Sequence, residues 1–220
     1  MITIILGGYP MKKLIIIMSS FFLASCSVFG IRTTKEPDYQ VLEKYEQIEI
    51  RYYPALIIAE TKISGDYKQA SKQGFQRLAG YIFGDNKQKL KLDMTTPVMQ
   101  EQEAESETIS MTAPVIQEKI DSSWVMAFVL PEEYLLATVP EPTDPAVLIK
   151  QLPEKTVAVL QYSGSLADQT MSEKAEQLNR WLIDNAYHPI SAYRSAAYDP
   201  PWTLPFLRRN EIHIDIQAVK

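Results

Sequence analysis

Lys89-Leu-Lys-Leu-Asp-Met-Thr-Thr-Pro-Val-Met-Gln100 and Thr108-Ile-Ser-Met-Thr-Ala-Pro-Val-Ile-Gln-Glu-Lys119 are two arms separated by the acidic run Glu101 to Glu107. Both carry one pentad, Met94-Thr95-Thr96-Pro97-Val98 and Met111-Thr112-Ala113-Pro114-Val115. Strand-forming residues either side of a short polar linker predict a β-hairpin, and the proline in each arm removes a ladder donor, so each arm is expected to bend or bulge there.

Outward from the hairpin, Tyr67, Ala70, Gly74, Phe75, Leu78 and Ile82 form one stripe of a helix, with Asp66 as N-cap and Gly84 as stop. Gly74 and Gly80 each cost about 1 kcal/mol relative to alanine inside a helix, so a neighbouring strand or a flat ligand is expected close to that backbone. Upstream, Tyr39 to Tyr53 alternates as one half-buried strand, Pro54 breaks it, and Ala55 to Ile63 begins another. Downstream, Trp124 to Leu130 is a continuous apolar run ending at Pro131, expected as a central strand. Leu135 to Pro145, with three prolines, predicts a surface crossover.

The second half echoes the first. Ile50, Pro54, Ala59, Ser64 and Gly65 recur 99 residues later as Ile149, Pro153, Ala158, Ser163 and Gly164, and Leu78, Tyr81 and Ile82 recur 100 later as Leu178, Trp181 and Leu182. A second helix is predicted over about Gln169 to Asn185, and Asn210 to Ile216 alternates as a closing strand with Ile212, Ile214 and Ile216 inward and Glu211, His213 and Asp215 outward. The expected fold class is therefore α+β, a single domain over 38–220 built of halves at about 38–135 and 146–220. Neither half closes a core alone, so they are expected to pack about a pseudo-twofold axis as an antiparallel sheet or distorted barrel flanked by two helices.

The paired M-T-x-P-V segments, the Trp124 strand, Tyr198-Asp199-Pro200-Pro201 and Arg208-Arg209-Asn210-Glu211 resemble the SOUL haem-binding protein family over roughly Tyr39 to Ile216. The resemblance implies barrel closure and a non-catalytic binder whose ligand is haem or another tetrapyrrole, held in an apolar cleft beside the first helix. Phe75 and Ala79 align with the family's cleft helix; Leu78 and Ile82 complete the wall and Gly80 permits close approach. Met94, Met111 and Trp202 join them by apolar character and nearness to the motifs. The two thioethers could reach iron, but gap-filling is the commoner use of methionine. Axial ligation stays open, and His188 and His213 read as solvated surface residues. Arg208-Arg209 could clamp a carboxylate, or pin the last strand through Asp199 or Glu211. The resemblance extends to a wider GyrI-like superfamily, some of whose members hydrolyse small molecules with a buried glutamate, for which Glu60 is the candidate. A third reading is a docking module using Pro140 to Pro145 or the acidic hairpin tip.

Composition narrows the classes. The chain has 220 residues, 46% of them hydrophobic, enough for a full core. A net charge of −5 argues against nucleic acid as a partner. One cysteine and two histidines offer no metal-site spacing. Lys12-Lys13, the apolar Leu14 to Phe22 and Leu23-Ala24-Ser25-Cys26 are similar to a bacterial lipoprotein signal. Residues 1–25 would be removed, Cys26 lipidated, and 26–37 left as anchor and tether, with Met11 a second candidate start. The expected location is the cell envelope, on the periplasmic side of the outer membrane if the source is Gram-negative, with the membrane as a partner through the anchor.

Overall fold

The computed structural model describes residues 34–102 and 123–217; Cys26, Met111 and the second hairpin arm lie outside the described residues. Nine strands form one sheet, and every pairing of neighbours is antiparallel. In chain order they are β1 (Gln40–Tyr45), β2 (Ile48–Tyr53), β3 (Leu56–Ser64), β4 (Val98–Gln102), β5 (Ser123–Val129), β6 (Val147–Leu152), β7 (Lys155–Tyr162), β8 (Arg194–Ala197) and β9 (Asn210–Ile216). Helix α1 (Tyr67–Ile82) follows β3, and α2 (Asp168–Asp184) follows β7.

The spatial order is β1-β2-β7-β9-β8-β4-β5-β3-β6. Exchanging β2 with β6, β3 with β7, β4 with β8 and β5 with β9 reproduces the order from β2 to β6 read backwards, as a pseudo-twofold axis between β4 and β8 requires. Gly65 and Gly164, at the same place in the two halves, both take a left-handed φ, +119° and +117°.

The two helices cover one face of the sheet. Alternate strand residues point at them: Ala59, Met126 and Phe128 pack with Leu78, Tyr81 and Ile82 of α1, and Ile50, Ala158, Leu160, Ile212 and Ile214 pack with Met171, Leu178 and Leu182 of α2. The intervening residues Tyr53, Ile58, Ala127, Val129, Val157 and Val159 form another cluster on the helix-free face. Its members come from the β2-β7 and β3-β5 pairs, which are not neighbours in the sheet, so the sheet is curled to bring them together.

Three expectations change. The stretch from Tyr39 to Tyr53 is a hairpin rather than one strand: Glu46 takes φ +51° and Tyr45 pairs with Ile48, so the chain reverses in two residues. The arm Lys89 to Gln100 is strand only from Val98, where it pairs with β5 and β8; the preceding Thr96-Pro97 peptide is cis. In β9 the residues expected to face outward, Glu211 and His213, are buried and Asp215 half-buried, because the second face of that strand lies inside the curl. Asp66 does cap α1, its carboxylate accepting from the Gln69 N–H at 2.9 Å.

Candidate functional site

Sequence places the ligand wall on α1, and the structure divides those residues. Leu78 and Ile82 lie in the core beneath the helix with Leu92, Met126 and Phe128, so in this structure they offer no surface. Their positions on the inner stripe dictate this, since the same apolar periodicity that forms the helix buries it. A Cβ on Gly74 would come within 2.8 Å of Ile63 Cδ1 and 3.2 Å of Met126 Cβ, so the close neighbour there is the sheet. A Cβ on Gly80 would meet only the Asp85 carboxylate, at 2.7 Å; the chain's own side chain fills the approach expected for a ligand.

Phe75 and Ala79 take the opposite position. Phe75 is 42% exposed and stands edge-on to the buried Phe128, ring centroids 5.5 Å apart. Ala79 is half-buried one turn on, and Phe83, 61% exposed, follows after another turn. Lys68 and Lys72 continue the stripe towards the N-terminus, both exposed. At about 1.5 Å per residue, Phe75 and Phe83 lie about 12 Å apart along the axis. One stripe on the exposed side of α1, continued by its C-cap Phe83, is thus an apolar ridge with two cations at one end, flanked by the exposed Gln69, Gln73 and Gln76. Met94 is half-buried against the cluster that contains Phe128, so it and Phe75 border the same core. Trp202 is exposed on the loop between β8 and β9; neither it nor the α1 residues line the grooves at Lys44–Arg208, Leu136–Ile149 or Glu60–Asp215.

The helix-free face carries what sequence reasoning missed. A groove of about 740 Å³ is lined by Glu60, Lys62, Glu101, Lys150, Lys155, Arg194 and Asp215, with Val125, Leu148 and Ala146 among its apolar walls. Its charges are already paired. Lys155 meets Asp215 at 3.1 Å, Arg194 donates to Asp215 through both terminal nitrogens, and Glu60 is bridged to Lys150. Burial pushes the Glu101 carboxyl up and the Lys155 ammonium down from their ordinary pKa values.

Deeper along this face is a buried network. Arg51 donates to both Glu211 oxygens at 3.0 and 3.1 Å, His213 Nε2 lies 2.8 Å from Glu211 Oε2, and Tyr198 donates to the same oxygen at 2.7 Å. Arg209 bonds Glu211 at 2.7 Å and its backbone N–H donates to Asp199, so one of the two arginines pins the last strand. Burial opposes ionisation of Glu211, yet the His213 hydrogen bond and the Arg51 charge hold its carboxyl well below the usual range. His213, expected on the surface, is buried; burial lowers its pKa despite the Glu211 hydrogen bond. His188 is exposed. Among the described residues no cluster of three or more histidine, cysteine or carboxylate ligands could hold a metal ion.

The family model described as SOUL heme-binding protein matches residues 34–215. The chain belongs to the SOUL heme-binding protein family. Heme-binding protein 1 of Xenopus laevis is 29% identical to this SOUL chain over 166 residues, which is 74% of the chain and 80% of the relative. Heme-binding protein 2 of Homo sapiens is 30% identical over 166 residues, 74% and 75% of the two lengths. Among solved structures the SOUL fold seen here is similar to the EcmrR C-terminal domain, with TM-score 0.55, 14% identity, and coverage of 82% of this chain and 99% of that one. A hydrolase from Listeria innocua has TM-score 0.53 at 7% identity, covering 80% and 94%. At such identities these likenesses concern the fold alone.

Proposed function

We propose that this SOUL-family chain is a lipid-anchored cell-envelope protein that binds haem or a similar flat, amphipathic tetrapyrrole without acting on it. The observation that carries the reading is the outer ridge of α1. Phe75, Ala79 and Phe83 present apolar surface over about 12 Å, with Lys72 and Lys68 beyond it to take ring carboxylates, and the relatives that share the family are themselves named heme-binding proteins. Met94 packs against the core cluster beneath α1. Sequence places no imidazole on the ridge, so the ring is held by apolar contact and charge. The groove on the other face is a poorer fit to an apolar ring, because its paired charges would lose their partners or their water on contact.

The two faces are separated by hemin titration. Phe75→Ser removes part of an aromatic contact and is expected to weaken hemin binding about tenfold, equivalent to about 1.4 kcal/mol. Lys155→Gln, in the groove, should leave it unchanged. The reverse pattern would move the ligand to the groove.

A second reading, a small-molecule hydrolase, is favoured by one observation: the Glu60 carboxylate lines the groove and is 16% exposed. In that case Glu60→Gln abolishes turnover of a test ester without changing the unfolding midpoint.

A further inference from the structure

The loop between β8 and β9 inverts the usual arrangement of side chains. In Pro201-Trp202-Thr203-Leu204-Pro205-Phe206-Leu207 the single polar side chain, Thr203, is 1% exposed, whereas Pro201, Trp202, Leu204, Pro205 and Phe206 are all exposed, Trp202 at 64% and Phe206 at 70%. Water as the only neighbour would favour the opposite. A contiguous exposed apolar run of this kind marks an interaction surface, whereas scattered single residues do not.

The display is fixed by the loop's own bonds. Arg208 Nε donates to the Thr203 carbonyl at 2.8 Å and its Nη2 to the Pro201 carbonyl at 2.7 Å, the Thr203 N–H donates to the Pro200 carbonyl at 3.0 Å, and Pro205–Leu207 forms a short 3-10 turn. Gly164 N–H donates to the Pro205 carbonyl at 2.8 Å, tying the loop to the turn after β7. Trp202 and Phe206 therefore have little freedom to fold back.

The chain's path says what covers this surface. Glu36 pairs with Arg209 at 3.0 Å, at the root of the loop, so the described chain enters the fold beside it. Only nine residues, 27–35, separate Glu36 from Cys26. Fully extended they span about 30 Å. A lipid on Cys26 thus keeps the loop within reach of the bilayer it is inserted in. We infer that Trp202, Leu204 and Phe206 enter the headgroup and acyl boundary of that bilayer, a second contact beside the acyl chains, with the tryptophan at the level such rings favour. This rests on the lipid-anchor reading and reassigns Trp202 from ligand wall to membrane contact.

The test uses the full-length protein in vesicles whose lipids carry bromine on the upper acyl chain, which quenches tryptophan on contact. Trp124 is buried and Trp181 half-buried, so Trp202 is the fluorophore placed for contact. Quenching of the wild type that is mostly lost in Trp202→Phe, and weakened in Phe206→Ser, is the expected result. Detergent phase partition of the wild type and Cys26→Ala reads the anchor separately; an unanchored chain is added to preformed vesicles, and Trp202 quenching there still supports the loop contact. A Trp202 untouched by brominated lipid overturns the inference whichever way the anchor reads. Loss of hemin affinity in Trp202→Phe, with no quenching by lipid, assigns the loop to the tetrapyrrole site, and a dimer dispersed by Phe206→Ser assigns it to a second copy; either outcome overturns it.

Discussion

Glu211 is fully buried and receives hydrogen bonds from Arg51, Arg209 and Tyr198, with His213 on the same oxygen as Tyr198. Removing its carboxylate takes from Arg51, itself 1% exposed, its fully buried counter-charge and leaves it Glu49 at the half-buried edge. Breaking such a pair costs about 3 to 5 kcal/mol, so Glu211→Ala should lower the urea midpoint strongly, whereas Glu49→Ala, on the part-exposed side of Arg51, should cost far less. His213 adds a pH dependence. Its folded pKa lies below the ordinary 6.5, through burial first, with Arg194 and Arg51 adding to it against Glu211. The unfolded chain therefore takes up a proton that the folded chain refuses, and stability falls as pH drops through about 6.5. Glu211, also depressed, has the same sign below its ordinary 4.5. Urea midpoints measured between about pH 7 and pH 5 should decline, and the upper part of that decline should vanish in His213→Gln. A midpoint that rises on acidification would contradict the assignment. None of this burial was legible at the residue scale. The alternation of Asn210 to Ile216 says which residues share a face, but it does not say that a curled sheet covers both faces. The pinning role of Arg209 was within reach, because Asp199 and Glu211 lie close by in sequence.

At the scale of elements, helix α1 was legible because period, cap and stop agree: the apolar stripe, Asp66 and Gly84 all point to the same sixteen residues. Its two glycines are not equivalent, and the difference is testable. Gly74→Ala gains up to about 1 kcal/mol of helix propensity but forces a Cβ against Ile63 and Met126, an overpacking that costs about 1 to 3 kcal/mol. The balance is a net destabilisation of up to about 2 kcal/mol. Gly80→Ala meets only the end of the exposed Asp85 side chain, which can turn aside, so that variant should be more stable by several tenths of a kcal/mol. Thermal melts of the two variants check both signs. Elements decided by pairing were harder. Between Tyr39 and Tyr53 the reversal uses Glu46, which takes φ +51° without the glycine or asparagine that usually announces a turn. In the first hairpin arm, the partners of Val98 to Gln102 are set by long-range register with Ser123–Val129 and Arg194–Ala197, and no local signal encodes that register.

For the whole molecule, the internal spacing of 99 to 100 residues anticipated the doubled element order and the apolar periodicity the two helices, whereas the barrel closure implied by the family motifs is met as a curled sheet whose end strands β1 and β6 do not pair. What remained hidden was which face would hold a cavity. The helices cover one face and leave a groove on the other, while the expected ligand wall divides into buried Leu78 and Ile82 and exposed Phe75 and Ala79. Periodicity assigns all four to α1 but cannot say how much of the stripe the sheet covers. The central claim is that a flat tetrapyrrole is held by apolar contact and charge on the outer ridge of α1. Its most direct test is a pair of titrations in detergent, hemin and iron-free protoporphyrin, followed by porphyrin absorbance and tryptophan quenching. The account predicts saturable one-to-one binding of both, with similar affinity. Binding of hemin alone would require an axial ligand and contradict it, as would failure of both to bind better than they do to an unrelated acidic protein.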